Sequence, residues 1–140
     1  MSGRFFLDTN IFAYTFDLSV PAKAKTALQL VRRAVDSGEG VISYQVVQEF
    51  FNVALRRFTQ PMNLAEAEQY FLTVLRPLVA VDSSPALFLE AFRLVGRHRF
   101  NWYDSLILAA ALQLDCDTLY SEDFQHGRKI EDLTISNPFF

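Results

Sequence analysis

The chain contains a single cysteine and no long apolar run. One cysteine excludes an internal disulfide and a metal site built from four thiolates, and we expect Cys116 to be a buried packing residue in an apolar helix. No apolar run approaches the roughly 20 residues that span a bilayer. Nothing resembles a signal peptide, because Asp8, Asn10 and Asp17 interrupt the first residues of the chain. These absences predict a soluble cytoplasmic protein.

Basic charge is also scarce. The 13 Lys and Arg residues are outnumbered by 16 Asp and Glu residues, which gives a net charge of −3 and a pI near 5.3. This balance excludes a basic clamp for nucleic acid over the whole surface and leaves room only for a local basic rim. Apolar residues are abundant: 51% of the 140 residues are hydrophobic, including 14 Phe. We therefore expect one domain, residues 1–140, with an aromatic core.

Apolar runs alternate with segments of helical periodicity. Short runs predict strands at residues 3–8, 41–42, 78–81 and 118–121, with a weaker one near 133–135. The spacing of apolar residues predicts helices at 10–17, 21–37, 43–58, 63–75, 84–98 and 104–114. Strands that alternate with helices favour an α/β fold with parallel strands and right-handed crossovers.

Four acidic residues occupy related places in this predicted fold. Asp8 ends the first strand, and Asp123 follows the fourth. Glu49 lies on the helix entered directly from the second strand, and Asp104 opens the most apolar helix. Since ligands bind at the carboxyl ends of parallel strands, we expect the four side chains to lie over one edge of the sheet.

Each acid also has a purely structural interpretation. Asp8 and Asp104 fit helix or turn caps, and Asp123 fits a turn. Glu49 is harder to explain, because it borders an apolar face and has no basic partner one turn away. Its neighbours at that spacing are Gln45, Val46, Asn52 and Val53.

Convergence of the acids would be costly without a cation. Two carboxylates 4 Å apart repel by about 4 kcal/mol at an effective dielectric constant of 20. Four would need raised pKa values or divalent ions. Oxygen-only ligands favour Mg²⁺ or Mn²⁺ over zinc.

The motifs resemble those of a known family. The segments Phe-Leu-Asp8-Thr-Asn, Gln-Glu49-Phe, Trp-Tyr-Asp104-Ser-Leu-Ile and Tyr-Ser-Glu-Asp123-Phe are similar, in type and order, to those of PIN domains. More narrowly they resemble the ribonuclease toxin of VapBC toxin–antitoxin pairs, over about residues 4–137. The resemblance implies a three-layer α/β/α fold with a mostly parallel sheet of four to five strands. It also implies cleavage of RNA through bound Mg²⁺ or Mn²⁺, a homodimer, and a cognate antitoxin that covers the site.

Site residues follow from the same resemblance. Asp8, Glu49, Asp104 and Asp123 take the acidic metal-binding and catalytic positions. Asn10 matches a residue that supports the first Asp, and Ser121 matches the hydroxyl before the last one. Glu122, next to Asp123, either approaches a second metal or faces solvent.

Substrate contacts are expected from local basic and aromatic residues, because the net charge is unfavourable for RNA. The candidates flank Asp104 and Asp123: Arg97, Arg99, Trp102, His126, Arg128 and Lys129. Trp102 is equally consistent with packing into the protein.

Four other functions remain open. His98 and His126 permit a metal-free ribonuclease, although no supporting pattern surrounds them. A PIN-type RNA-processing nuclease that is not a toxin has the same motifs, and so has a catalytically silent PIN scaffold. A receiver-like module that uses Mg²⁺ fits poorly, because the helices come in pairs.

Overall fold

A computed structural model describes residues 2–140 of the chain. The strands are β1 (Phe5–Leu7), β2 (Gly40–Ser43), β3 (Val79–Val81), β4 (Thr118–Tyr120), β5 (Lys129–Ile130) and β6 (Leu133–Ser136). The α-helices are α1 (Thr9–Tyr14), α2 (Pro21–Ser37), α3 (Tyr44–Ala54), α4 (Leu64–Tyr70), α5 (Pro85–His98) and α6 (Trp102–Gln113). The predicted alternation of strands with helices is confirmed.

The strands form one sheet in the order β3-β2-β1-β4-β6-β5. All neighbours pair in parallel except β5 and β6, which form an antiparallel hairpin. The sheet has six strands where four to five were predicted. The additional strand is β5, whose two residues are too few to show a periodicity in the sequence.

The strand order reverses between β1 and β4. From β1 the chain proceeds through β2 to β3 in one direction, and after β3 it returns to β4 on the other side of β1. Since crossovers between parallel strands are right-handed, the reversal places α1–α4 and α5–α6 on opposite faces of the sheet. Such a reversal opens a crevice at the carboxyl ends of the two strands.

Helix α2 begins and ends at residues suited to each terminus. Pro21 occupies its first turn, and Gly38 caps its end with a positive φ of 71°. Gly40 then starts β2 directly against Ala34 of α2, where a Cβ atom would collide with the helix. Although α2 has 17 residues, no helix within residues 2–140 is long and apolar enough to cross a membrane.

Some predicted boundaries are wrong. Helix α3 ends at Ala54 and not near residue 58, and α4 passes after Tyr70 into a π-helical turn, Phe71–Leu75, and a 3₁₀ turn, Arg76–Leu78. Pro77 explains why the regular α-helix does not continue after α4, because it cannot donate a helical hydrogen bond. Cys116 is buried as expected, but it lies in the turn between α6 and β4, where burial raises the pKa of its thiol to about 12.

An aromatic cluster holds α3 in place. Phe50 is fully buried, and its ring lies 5.2–6.5 Å from those of Phe12, Phe58 and Tyr70, among others. Such ring pairs add roughly 0.5–1.5 kcal/mol each to the burial of apolar area. Because Glu49 precedes Phe50, the cluster also fixes the part of α3 that carries this carboxylate.

Candidate metal centre

Asp8 lies at the end of β1 and is 4% exposed. Its Oδ1 accepts a hydrogen bond of 2.7 Å from the backbone N–H of Thr9, so it caps α1 as the structural interpretation predicted. Its Oδ2 accepts a second bond of 2.7 Å from the hydroxyl of Ser121, which follows β4. Asp8 therefore connects the two strands at which the strand order reverses.

Glu49 is half-buried and finds its partner far away in the sequence. Its Oε1 accepts a hydrogen bond of 2.7 Å from the Thr9 hydroxyl. Its Oε2 lies 3.4 Å from the Gln45 amide nitrogen, one turn earlier on α3. Neither partner is charged, so no cation is among the hydrogen-bond partners of this carboxylate.

Asp104 lies in the first turn of α6, and the cap of that helix is Asn101. The side-chain Oδ1 of Asn101 accepts from the Asp104 N–H at 2.8 Å, while the side-chain Nδ2 of Asn101 donates to Asp104 Oδ2 at 2.9 Å. The Asp104 side chain is therefore oriented by the cap residue and is not itself the cap.

Asp123 follows β4 and is held from two sides. Its backbone N–H donates to Ser121 Oγ at 3.1 Å, and its Oδ1 accepts from the Asn10 amide nitrogen at 3.0 Å. Asn10 was expected to support Asp8. It donates to Asp123 instead, while the Asp8 oxygens accept from Thr9 and Ser121.

The four acids line one cleft of about 220 Å³. The residues that line it are Asp8, Thr9, Asn10, Gln45, Glu49, Asn52, Val53, Tyr103, Asp104, Ile107 and Asp123. Among these lining residues there is no Lys, Arg or His. The cleft therefore concentrates negative charge without a protein cation to balance it.

The pKa values reflect this environment. Burial raises the pKa of Asp8 to about 7, assisted by the charges of Asp123 and Glu49 and opposed by the Ser121 and Thr9 hydrogen bonds. Burial also raises the pKa values of Asp104 and Asp123. Each anionic form is thus disfavoured in the folded protein, which is the condition under which a bound cation has most to contribute.

The donor set suits a hard divalent cation in its chemistry, since all four candidate ligands are carboxylates. Within residues 2–140, however, no three acidic, histidine or cysteine side chains are arranged so that they could hold a metal ion as they stand. Coordination of an ion would therefore require the carboxylates to turn toward one another.

Comparison with protein families matches residues 5–130 to the PIN domain. The chain belongs to the PIN-domain family. A search of curated proteins finds no significant match. Among solved structures, VapC20 of Mycobacterium tuberculosis, a sarcin–ricin-loop-cleaving toxin, shares 20% identity and a TM-score of 0.59, with 86% of this chain and 89% of that chain covered. VapBC2 of Rickettsia felis, bound to DNA from its promoter, shares 16% identity and a TM-score of 0.61, with 94% and 96% covered. At these identities the two structures establish the common fold.

In this PIN domain Glu122 is directed away from the acidic cleft. Its carboxylate accepts a hydrogen bond of 2.6 Å from the Tyr14 hydroxyl and forms an ion pair of 3.2 Å with Lys23 on α2. Glu122 is not among the residues that line the acidic cleft, and its contacts with Tyr14 and Lys23 favour neither of its two expected placements, at a second metal or in solvent. The adjacent acids Glu122 and Asp123 point to different partners.

The basic residues predicted to contact RNA do not line the cleft. Arg97 and Arg99 are exposed at the end of α5. The Arg128 guanidinium lies 4.6 Å from the centre of the Phe100 ring. Lys129 belongs to β5 opposite Thr134, which pairs with the first residue of β4, so Lys129 lies toward the amino ends of the parallel strands.

The two histidines do not form an acid–base pair at this cleft. The His126 ring stacks on Phe140 at 4.3 Å, and its Nδ1 accepts from the Asn137 N–H. His98 packs near Phe100, at 5.9 Å between ring centres. Because neither lines the cleft, they supply no alternative to the carboxylates there.

Trp102 is half-buried and packs against α5, with ring centres 5.5 Å from Phe88 and 4.9 Å from Phe92. Inward packing, one of its two interpretations, is therefore observed, although the indole also lines a depression next to the cleft.

The sequence interpretation omitted several residues that shape the site. Thr9, Gln45 and Tyr103 line the cleft, and Asn101 orients Asp104. The role of Asn101 could have been predicted from the sequence, because an Asn three residues before an acid at the start of an apolar helix is a common cap pattern. Thr9 had none, since its partner Glu49 is 40 positions away.

Proposed function

We propose that this PIN domain is a divalent-metal-dependent ribonuclease that hydrolyses RNA phosphodiester bonds at the acidic cleft. One observation carries the proposal: four carboxylates from four separate segments line a single cleft in which no lining residue is basic. A purely structural role for each acid does not account for their convergence, because converging anions destabilise a fold unless a cation neutralises them.

Asp8, Glu49, Asp104 and Asp123 would hold one or two ions, with Mg²⁺ or Mn²⁺ preferred by an all-carboxylate set. When bound, such an ion acidifies a water molecule and neutralises charge on the phosphate.

The surrounding residues prepare these carboxylates. Ser121 and the Thr9 backbone hold the two oxygens of Asp8 in place, and the Thr9 hydroxyl fixes Glu49. Asn101 and Asn10 each donate one hydrogen bond, to Asp104 and Asp123. Each donor stabilises the anionic form that a cation requires.

The proposal extends to a toxin of a type II toxin–antitoxin pair that acts in the cytoplasm. The similar folds of VapC20, described as a toxin that cleaves the sarcin–ricin loop, and of VapBC2 support it. On this proposal the chain forms a homodimer, and a cognate antitoxin covers the cleft. The alternatives within the family are an RNA-processing nuclease that is not a toxin and a catalytically silent scaffold.

The direct test is cleavage of end-labelled structured RNAs by the purified protein with Mg²⁺, Mn²⁺ or EDTA. We expect cleavage with either ion, none with EDTA, and none for Asp8→Asn with either ion. Asp36→Asn, which removes an exposed carboxylate on α2, is the matched control and should cleave like the wild type. Cleavage in EDTA, or undiminished cleavage by Asp8→Asn, would contradict the proposal.

Induced expression in a bacterial host separates a toxin from a processing enzyme. If the protein is a toxin, the wild type arrests growth and the Asp8→Asn variant does not. The product of a small reading frame adjacent to its gene then relieves the arrest. Cleavage in vitro without growth arrest would favour a processing nuclease.

A further inference from the structure

A second depression of about 260 Å³ lies beside the acidic cleft, and we refer to it as the side pocket. The two share Gln45 and Tyr103 as lining residues. The Gln45 amide nitrogen donates to the Tyr103 carbonyl oxygen at 3.1 Å and also reaches Glu49 at 3.4 Å. Gln45 therefore separates the side pocket from the acidic cleft, so a ligand in the side pocket would lie next to the carboxylates.

Aromatic rings surround the side pocket. Besides Tyr103, which is 65% exposed, the lining includes Tyr44 and Phe88, each 40% exposed, and Trp102. Phe88 meets the Trp102 ring nearly at right angles, at 88°, and so limits its rotation. Exposed rings held in a fixed orientation are suited to stacking on a planar group.

The polar lining is uncharged apart from one acid. It includes the amide of Gln48, the exposed carboxylate of Asp82 and the residue Ser43. Ser43 is 4% exposed, and its hydroxyl has no hydrogen-bond partner among the described residues. No Lys, Arg or His is among the lining residues, so the lining is unsuited to phosphate. Aromatic faces combined with side-chain amides are suited to a nucleobase.

We propose that the side pocket holds one unpaired nucleobase of the RNA whose phosphodiester lies in the acidic cleft. This inference rests on the proposed ribonuclease function. Asp82 accepts hydrogen bonds and cannot donate them, so the pocket favours a base with an exocyclic amino group. Guanine, adenine and cytosine have one, whereas the single donor of uracil on this edge, N3–H, lies between two carbonyl oxygens that the Asp82 carboxylate would repel. The side pocket thus determines base preference at one position of the substrate.

The test uses four pentaribonucleotides, UUXUU, in which only the central base X differs. They are titrated into the Asp8→Asn protein, which does not cleave on the proposed mechanism, so binding is measured apart from catalysis. The reporter is the emission of Trp102, the one tryptophan in the sequence. We expect saturable quenching and, for the best of the three amino bases, binding about tenfold tighter than for uracil, the ratio that one charge-assisted hydrogen bond provides.

Asp82→Asn, introduced into the same protein, should remove most of this discrimination, because the amide donates as well as accepts. Asp36→Asn again serves as the matched change of charge and should preserve the preference. Equal affinity for all four oligonucleotides, or no saturable quenching, would overturn the inference. Emission that changes on dilution of the protein and not with RNA would also overturn it, since a second copy of the chain would then cover the pocket. Base-selective binding without cleavage by the wild type would support the proposed base-binding pocket and contradict the proposed nuclease activity.

Discussion

The hydroxyl of Ser121 donates a 2.7 Å hydrogen bond to Asp8 Oδ2, and both side chains are buried although 113 positions separate them. Ser121 Oγ also accepts a hydrogen bond from the Asp123 N–H at 3.1 Å. One hydroxyl therefore aligns two of the proposed metal ligands. The bond also lowers the pKa of Asp8, against the larger effect of burial. We assign Ser121 as a positioning residue.

Ser121→Ala should remove both bonds and leave buried groups unsatisfied. We expect a loss of about 1–3 kcal/mol in the free energy of unfolding, together with a shift of the acid limb of the cleavage pH profile to higher pH. Urea denaturation and pH–rate measurements check the two effects. Ser105→Ala is a close control, because the Ser105 hydroxyl is buried and has no partner among residues 2–140. Equal destabilisation by the two substitutions would contradict the assignment.

The raised pKa of Asp8 predicts how the metal-free protein responds to pH. The pKa is about 7 in the folded state and 3.8 in the unfolded reference, so the folded state binds the proton more tightly. The resulting stability is fully present below about pH 3.8 and is lost as the pH rises through 7. The difference corresponds to at most about 4 kcal/mol.

Asp8→Asn has no proton to lose and should therefore unfold at a higher urea concentration than the wild type at pH 8 in EDTA. The two curves should converge near pH 4. Saturating Mg²⁺ should stabilise the wild type at pH 8 and leave the variant unchanged. Parallel curves across the whole pH range would show that Asp8 is not responsible for this dependence.

Asn101 has two roles that substitution can separate. Serine caps helices about as well as asparagine but lacks the amide nitrogen that donates to Asp104. Asn101→Ser should keep the stability, whereas Asn101→Ala should lose about 1 kcal/mol. Both should move the acid limb of the pH–rate profile upward, because each removes a bond that lowers the pKa of Asp104. An unchanged profile in both variants would exclude a role for Asn101 beyond capping.

Glu122 and Asp123 should differ sharply despite their adjacency. Asp123→Asn removes a cleft carboxylate and is expected to abolish metal-dependent cleavage. Glu122→Gln weakens only the contact with Lys23 and Tyr14, so activity should stay within about twofold and the stability loss below about 1 kcal/mol. Single-turnover cleavage at saturating Mg²⁺ compares them. Comparable losses of activity in the two variants would show that Glu122 also takes part in the metal centre.

The sequence predicted the alternation of strands and helices, and it placed Asp8 and Asp123 at strand ends because short apolar runs stop there. It singled out Glu49, on the helix entered from the second strand, because no basic residue lies one turn away, and Asp104 because it opens the most apolar helix. These inferences succeed since apolar periodicity and strand polarity are local properties of the chain. They therefore identified the four acids that line the cleft.

Contacts between residues that are distant in the sequence could not be predicted from local sequence patterns. Asn10 was assigned to Asp8 and bonds to Asp123, while Lys129 follows Asp123 closely in sequence and lies toward the far end of the sheet. Proximity in sequence after a turn therefore does not determine which side chains meet in space. The π-helical turn after Tyr70 likewise has no apolar signature of its own.

The central position of β1 has a consequence for synthesis. Its pairing with β4 joins Phe5 to Thr118, and the last cleft carboxylate is Asp123. A nascent chain therefore carries Asp8 and Glu49 long before the strand that completes their surroundings emerges from the ribosome. If the cleft cuts RNA, the growing polypeptide remains harmless to the ribosome that makes it until β4 and Asp123 have emerged.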